Sequence, residues 1–209
     1  MSKHAVFMLL VWSMCGVTSA AAQTSYTYHL HNEQTISYDG RDLRAEGPDR
    51  GTAVLATAVN TTMVGTTTTM RTFQLPAGEP ELGAAMPAGS MVTFTLWMRI
   101  SEARGVVYPA AATTNMYPGG WSGSTGPYRH YCSAWLPTPL TTTLTPYTFS
   151  CTIPAAVPID PTDRFTLWVA FATQSYMLAK GKRGGMAVEL AIEGVASGAT
   201  DSRLVLTVP

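Results

Sequence analysis

Charge is what this sequence has least of. Only 12% of its 209 residues are Asp, Glu, Lys or Arg, against about a quarter in ordinary soluble domains. The 13 basic residues cancel the 13 acidic ones. A chain with no basic excess is poorly suited to a nucleic-acid partner, whose phosphates must be neutralised by Lys and Arg. Cysteine is also scarce, with three in all. None lies in a C-x-x-C pair, which removes the usual redox and zinc motifs. The four histidines are few for a metal or catalytic centre, and no G-x-S-x-G elbow is present to hold a nucleophilic serine. There is no D-x-D-x-D-G loop of the kind that binds calcium. No repeat of fixed period is visible, so a propeller or solenoid is not expected.

What is present begins with Lys3 and His4, an apolar run from Ala5 to Cys15, and small residues ending in Ala20-Ala21-Ala22. That layout predicts a secretory signal peptide over residues 1–22, with 23–209 as one domain. The apolar run is short for a membrane span, and an uncleaved anchor is the competing reading. The expected location is secreted: extracellular, cell surface or periplasmic, with no transmembrane segment in the mature chain. There Cys132 and Cys151 predict a disulfide, with two free thiols as the alternative. It would close a loop of about 20 residues and stabilise by roughly 3 kcal/mol.

Residues 91–101 (MVTFTLWMRIS) place Val92, Phe94, Leu96, Met98 and Ile100 on one face of a strand. Residues 164–173 (RFTLWVAFAT) repeat the pattern with Phe165, Leu167, Val169 and Phe171. These two are the expected central strands. Further strands are predicted over 25–30, 52–59, 66–75, 105–112, 141–145, 147–153, 186–192 and 202–208. Residues 35–50 read as a hairpin or exposed loop, 76–90 as structureless, and 113–134 as the least regular stretch. The sum is an all-β chain, a jelly-roll-like antiparallel β-sandwich of about nine or ten strands. An outer-membrane barrel shares the low lysine content and the alternation, but recurring Pro and the Cys pair favour the sandwich.

Four pieces carry a resemblance: Thr72-Phe73-Gln74-Leu75-Pro76, Met86-Pro87-Ala88-Gly89 running into VTFTLWM, IDPTDRFTLWVAF, and Asp201-Ser202-Arg203-Leu204-Val205-Leu206. In that order they resemble a group of uncharacterised bacterial secreted β-sandwich domains. The resemblance implies a jelly-roll-like fold and an extracellular place. It implies no reaction and no catalytic residue.

The leading functional candidate is the aromatic, Gly-rich segment 117–135. Tyr117, Trp121, Tyr128, Tyr131 and Trp135 are the expected ligand-binding residues, with His130 among them. Flat rings stack on sugars, and loops on a rigid sandwich often carry such sites. The alternative is that these rings pack over the sandwich edge near Cys132. Trp97 and Trp168 would form a second platform if the two central strands were neighbours. His29 and His31 would share a strand face, too few for a metal site without a third ligand. Asp39, Asp42, Glu46 and Asp49 form an acidic loop read as solvated, and Asp160 and Asp163 are read as capping a Pro turn. Glu189 and Glu193 would sit about 13 Å apart along a strand, beyond the roughly 5–10 Å of glycosidase carboxylates. The Asn60-Thr61-Thr62 sequon matters only in a eukaryotic secretory pathway, and Lys180 to Arg183 read as a hairpin tip.

No catalytic residue, metal or cofactor is expected. The expected role is a secreted, non-enzymatic structural or interaction protein that packs against copies of itself or the envelope. The alternative is a carbohydrate-binding module whose glycans dock on the aromatic segment, and a glycosidase on the same fold is the distant third.

Overall fold

A computed structural model describes residues 22–34, 40–45, 53–116, 129–177, 185–192 and 201–209. The expected signal peptide, Tyr117, Trp121, Tyr128 and the 180–183 cluster lie outside these, as do the side chains of Asp39, Asp42, Glu46, Asp49 and Glu193. The described residues form thirteen strands. They are β1 (Thr24–Gln34), β2 (Gly40–Arg44), β3 (Ala53–Ala58), β4 (Thr67–Gln74), β5 (Ala85–Met86), β6 (Met91–Ile100) and β7 (Gly105–Met116). β8 (Arg129–Trp135), β9 (Thr145–Thr152), β10 (Val157–Pro158), β11 (Arg164–Tyr176), β12 (Ala187–Ile192) and β13 (Arg203–Val208) follow. The helical content among them is one 3-10 turn, Thr61–Met63, and among the described residues no helix is long and apolar enough to cross a membrane.

The strands pair in the order β3-β12-β6-β13-β1-β2-β4-β11-β7-β8, with β9 on the free side of β6. β6 and β11 are therefore far apart along the hydrogen-bonded path. Yet Val92, Phe94, Leu96 and Met98 of β6 share one buried cluster with Phe165, Leu167, Val169 and Phe171 of β11. A continuous sheet brings such strands into one core only by folding over on itself, which makes a two-layer sandwich. β9, β6, β13, β12, β1 and β3 form one layer; β4, β11, β7 and β8 form the other, with β2 joining them. Each fully buried Leu or Phe contributes about 1.5–3 kcal/mol, so this apolar interior is the main source of stability. A membrane barrel would instead turn its apolar face outward.

The chain exchanges strand partners at one polar point. β6 pairs with β13 from Met91 to Thr95 and with β12 from Trp97 to Ile100. At the junction Ser202, 1% exposed, takes the place of a strand. Its Oγ accepts from the Trp97 N–H at 2.9 Å and donates to the Ala191 carbonyl at 2.5 Å. Both backbone groups are thereby satisfied inside the sheet.

The two layers are stapled at the opposite edge. Cys132 on β8 and Cys151 on β9 form the expected disulfide, with Cα atoms 5.8 Å apart.

Several local expectations need correction. Residues 141–144 form a turn, not a strand; the Thr141 N–H is held by the Tyr147 hydroxyl at 3.0 Å, and β9 starts at Thr145. The irregular 113–134 stretch contains the end of β7 and most of β8. In the 35–50 stretch, residues 40–44 are strand β2, antiparallel to β1 as the hairpin reading expects and not an exposed loop; β2 is also parallel to β4, and Leu43 is fully buried. The 76–90 stretch supplies β5, which pairs with β10.

Candidate binding groove

The outer face of the β4-β11-β7-β8 layer is concave, and the sequence explains why. On β7 the outward positions are Tyr108, Ala110, Ala112 and Thr114; on β11 they are Trp168, Ala170, Ala172 and, at a bulge, Gln174. Four methyl groups thus make the floor while aromatic rings stand at its margins. The result is a groove of about 850 Å³. Ala is a poor strand former, depleted where a pleated surface must be covered. Four of them on one outward face forgo packing that larger side chains would supply, and leave open space.

Trp135, at the end of β8, is 57% exposed and is the most exposed aromatic of the groove. Its ring meets Tyr108 edge-on, centroids 5.5 Å apart and planes at 71°. The Tyr108 hydroxyl donates to Gln174 Oε1 at 2.6 Å. Across the floor Trp168 Nε1–H donates to Thr114 Oγ1 at 2.8 Å, which fixes the indole orientation. Thr67 and Thr69 of β4 and Ser133 of β8 put exposed hydroxyls along the rim, and His130 stands beside them. No carboxylate, ammonium or guanidinium lines the groove among the described residues.

The expected site residues divide. Trp135 lies in the groove. Tyr131 does not: the ladder pairs Thr113 with Cys132 and Thr114 with His130, leaving Tyr131 as an extra, bulged residue. It turns inward, 3% exposed, and stacks on Phe165 with centroids 5.7 Å apart. Burial, and then the nearby Asp163, push its phenol well above the usual range. Trp97 and Trp168 make no joint platform, because their strands lie in different layers. Trp97 faces out from β6, opposite Ala191 and Pro146. The sequence reading missed Tyr108 and the alanine floor. The available signal was the alternation of small and aromatic residues in YPAAATT and WVAFAT.

The other polar candidates are taken up locally. His29 and His31 differ in burial, and the β1–β2 register shifts between Leu30 and Gln34, the stretch that contains His31. His31 is buried at 2%, while His29 Nδ1 lies 2.7 Å from Asp201 Oδ1 and Arg203 donates to the other oxygen at 3.0 Å. Burial raises the Asp201 carboxyl, but these hydrogen bonds and charges outweigh it and hold the group below the ordinary carboxylate range. Glu189 is paired with Arg99 at 2.6 Å and Glu102 with Arg104. Asp163 Oδ2 accepts from the Asp160 N–H at 2.8 Å, and Asp160 Oδ1 from the Thr162 N–H at 3.0 Å, which caps the turn before β11. Asn60 Oδ1 accepts from the Thr62 N–H at 3.0 Å in a local turn. No three His, Cys, Asp or Glu side chains gather among the described residues.

No protein-family model matches the sequence, and no curated protein does. Solved structures do match in fold. A CocE/NonD family hydrolase from Staphylococcus aureus aligns over 90% of this chain at TM-score 0.53 and 10% identity. An aminopeptidase from a marine sediment Thaumarchaeota archaeon aligns over 90% at TM-score 0.55 and 8% identity, and an α-amino acid ester hydrolase over 88% at 0.50 and 13%. This chain spans only 37%, 37% and 36% of those chains. At such identities the likeness is one of fold: this β-sandwich also occurs as a part of larger proteins.

Proposed function

We propose that this protein is a secreted, non-catalytic binding module that holds carbohydrate on the concave face of its β4-β11-β7-β8 layer. The observation that carries this reading is the floor of Ala110, Ala112, Ala170 and Ala172 between Trp135, Tyr108 and Trp168. Sugar rings present C–H faces that stack on aromatic rings, and their hydroxyls suit the Thr67, Thr69 and Ser133 rim. A rigid site on strands needs no ordering when the ligand arrives, which favours binding. The disulfide fits an oxidising compartment. The carboxylates Glu189 and Glu102, each engaged by an arginine outside the groove, support a binding role over hydrolysis.

The test is calorimetry with a panel of soluble glycans, on the wild type and Trp135→Ala. The proposal expects binding by the wild type and a loss of about tenfold or more in the variant, the size of one good aromatic contact. Binding that survives the substitution unchanged contradicts it. A second reading, that this face packs against another copy of the chain, is favoured by the exposed Trp135 in an uncharged surface. It predicts that light scattering shows mass rising with concentration, and that Trp135→Ala abolishes the rise.

A further inference from the structure

The groove's lining also narrows what kind of glycan fits, a step that rests on the binding reading above. Two features decide it. The first is electrostatic. Acidic or sulfated polysaccharides are held by Lys and Arg, and the described groove residues include neither. Placing an anion against methyl groups and aromatic faces would strip its water with no compensating charge. The donors and acceptors present are the hydroxyls on Thr67, Thr69 and Ser133, the Gln174 amide and the His130 imidazole at the rim, a single ring that offers a polyanion no cluster of cations.

The second feature is spacing. Trp135 pairs with Ala110 on one side of β7, and Trp168 pairs with Ala112 on the other side. Two strand separations and a two-residue step put their backbones roughly 12 Å apart. That is further than one pyranose ring reaches. The small floor residues leave the path between the two indoles open across β7.

We propose that the groove takes an uncharged glycan chain, held as a run of sugar rings across β7, with Trp135 and Trp168 as separate stacking stations. A neutral ligand makes the affinity nearly independent of salt, because no ion pairs are available for screening. A chain that reaches both stations binds more tightly than one sugar unit. Filling the floor blocks the path without disturbing the core, since Ala112 faces outward.

The experiment titrates the full chain with neutral oligosaccharides of the cellulose, amylose and mannan types, in increasing length, and with polygalacturonate and heparin. Each titration is run over a roughly tenfold range of salt. Expected are binding to at least one neutral series and a Kd that moves less than about twofold with salt. Affinity should improve by about tenfold or more from the single sugar to the chain, as a second aromatic contact is gained. Ala112→Leu should abolish the gain with length while its thermal transition stays cooperative. Binding confined to the polyanions, falling steeply with salt, overturns the inference and leaves a binding module standing. So does a monosaccharide bound as tightly as its polymer. Binding to none of the glycans overturns both this inference and the reading it rests on.

Discussion

The Trp168 indole N–H donates to the Thr114 hydroxyl at 2.8 Å, from β11 across to β7. Thr114 is only 3% exposed, so its hydroxyl has few other partners to turn to. One hydrogen bond thus sets the attitude of a groove ring and satisfies a buried polar atom. Trp168→Phe keeps an aromatic ring but deletes the donor. It is expected to lower stability by about 1 kcal/mol and to weaken glycan binding beyond what ring area explains. Urea midpoints and binding constants measured on the same samples check this; unchanged affinity would show that the ring needs no such anchor.

Ser202 makes a sharper stability prediction. Ser202→Ala removes the acceptor of the Trp97 N–H and the donor to Ala191 inside the sheet. A buried backbone group left unsatisfied costs about 1–3 kcal/mol. Ser202→Thr retains the hydroxyl but adds a methyl at a site only 1% exposed, so it should recover only part of the loss. A Ser202→Ala protein with wild-type unfolding midpoint would refute the role assigned to this side chain.

The disulfide bridges strands of opposite layers, β8 and β9, with 19 residues of sequence separation. Replacing both cysteines by Ala should destabilise the protein by roughly 3 kcal/mol through the greater freedom of the unfolded chain. Because β8 carries Ser133 and Trp135, the double variant should also bind glycan less tightly at temperatures where it remains folded. Thermal melts with and without reductant, followed by titration, test both parts. A reductant-insensitive melting temperature in the wild type would contradict the first.

Asp201 gives a pH dependence. Its folded carboxyl sits below the ordinary range, against an unfolded value of about 3.9. A depressed folded value means the stabilisation is fully present above the unfolded value and is lost as pH falls through the folded one. Acid unfolding should therefore be shallower in Asp201→Asn than in the wild type as the pH falls below about 4. Parallel acid titrations in the two proteins would argue against the His29–Asp201–Arg203 cluster as a source of acid sensitivity.

How much of this was legible in the sequence follows from periodicity. β6 and β11 stood out because one face of each is apolar at every second residue, and the structure buries those residues. The cysteine pair was legible because two isolated cysteines behind an expected signal peptide are most simply a disulfide, and the structure joins them. What escaped was set by pairing between distant segments. β2 reads as part of a hairpin or an exposed loop, and only its parallel pairing with the distant β4 makes it an inner strand with Leu43 buried. Tyr131 reads as another ring of an aromatic segment, and only the bulge opposite Thr113 and Thr114 turns it inward. The groove escaped because its floor is defined by what is small. Ala110, Ala112, Ala170 and Ala172 carry no chemical signature, and their common face exists only once β7 and β11 are paired in register.

Indole N–H resonances observed by NMR during titration with a neutral oligosaccharide test the central claim most directly. Trp135 and Trp168 line the groove, whereas Trp97 lies on the other layer and serves as an internal control. Assignment comes from the spectra of single Trp→Phe variants. The account predicts that the Trp135 and Trp168 signals shift in a saturable way while the Trp97 signal stays in place. Saturable movement of Trp97 alone, or no movement of any indole at glycan concentrations that saturate calorimetric binding, would contradict it.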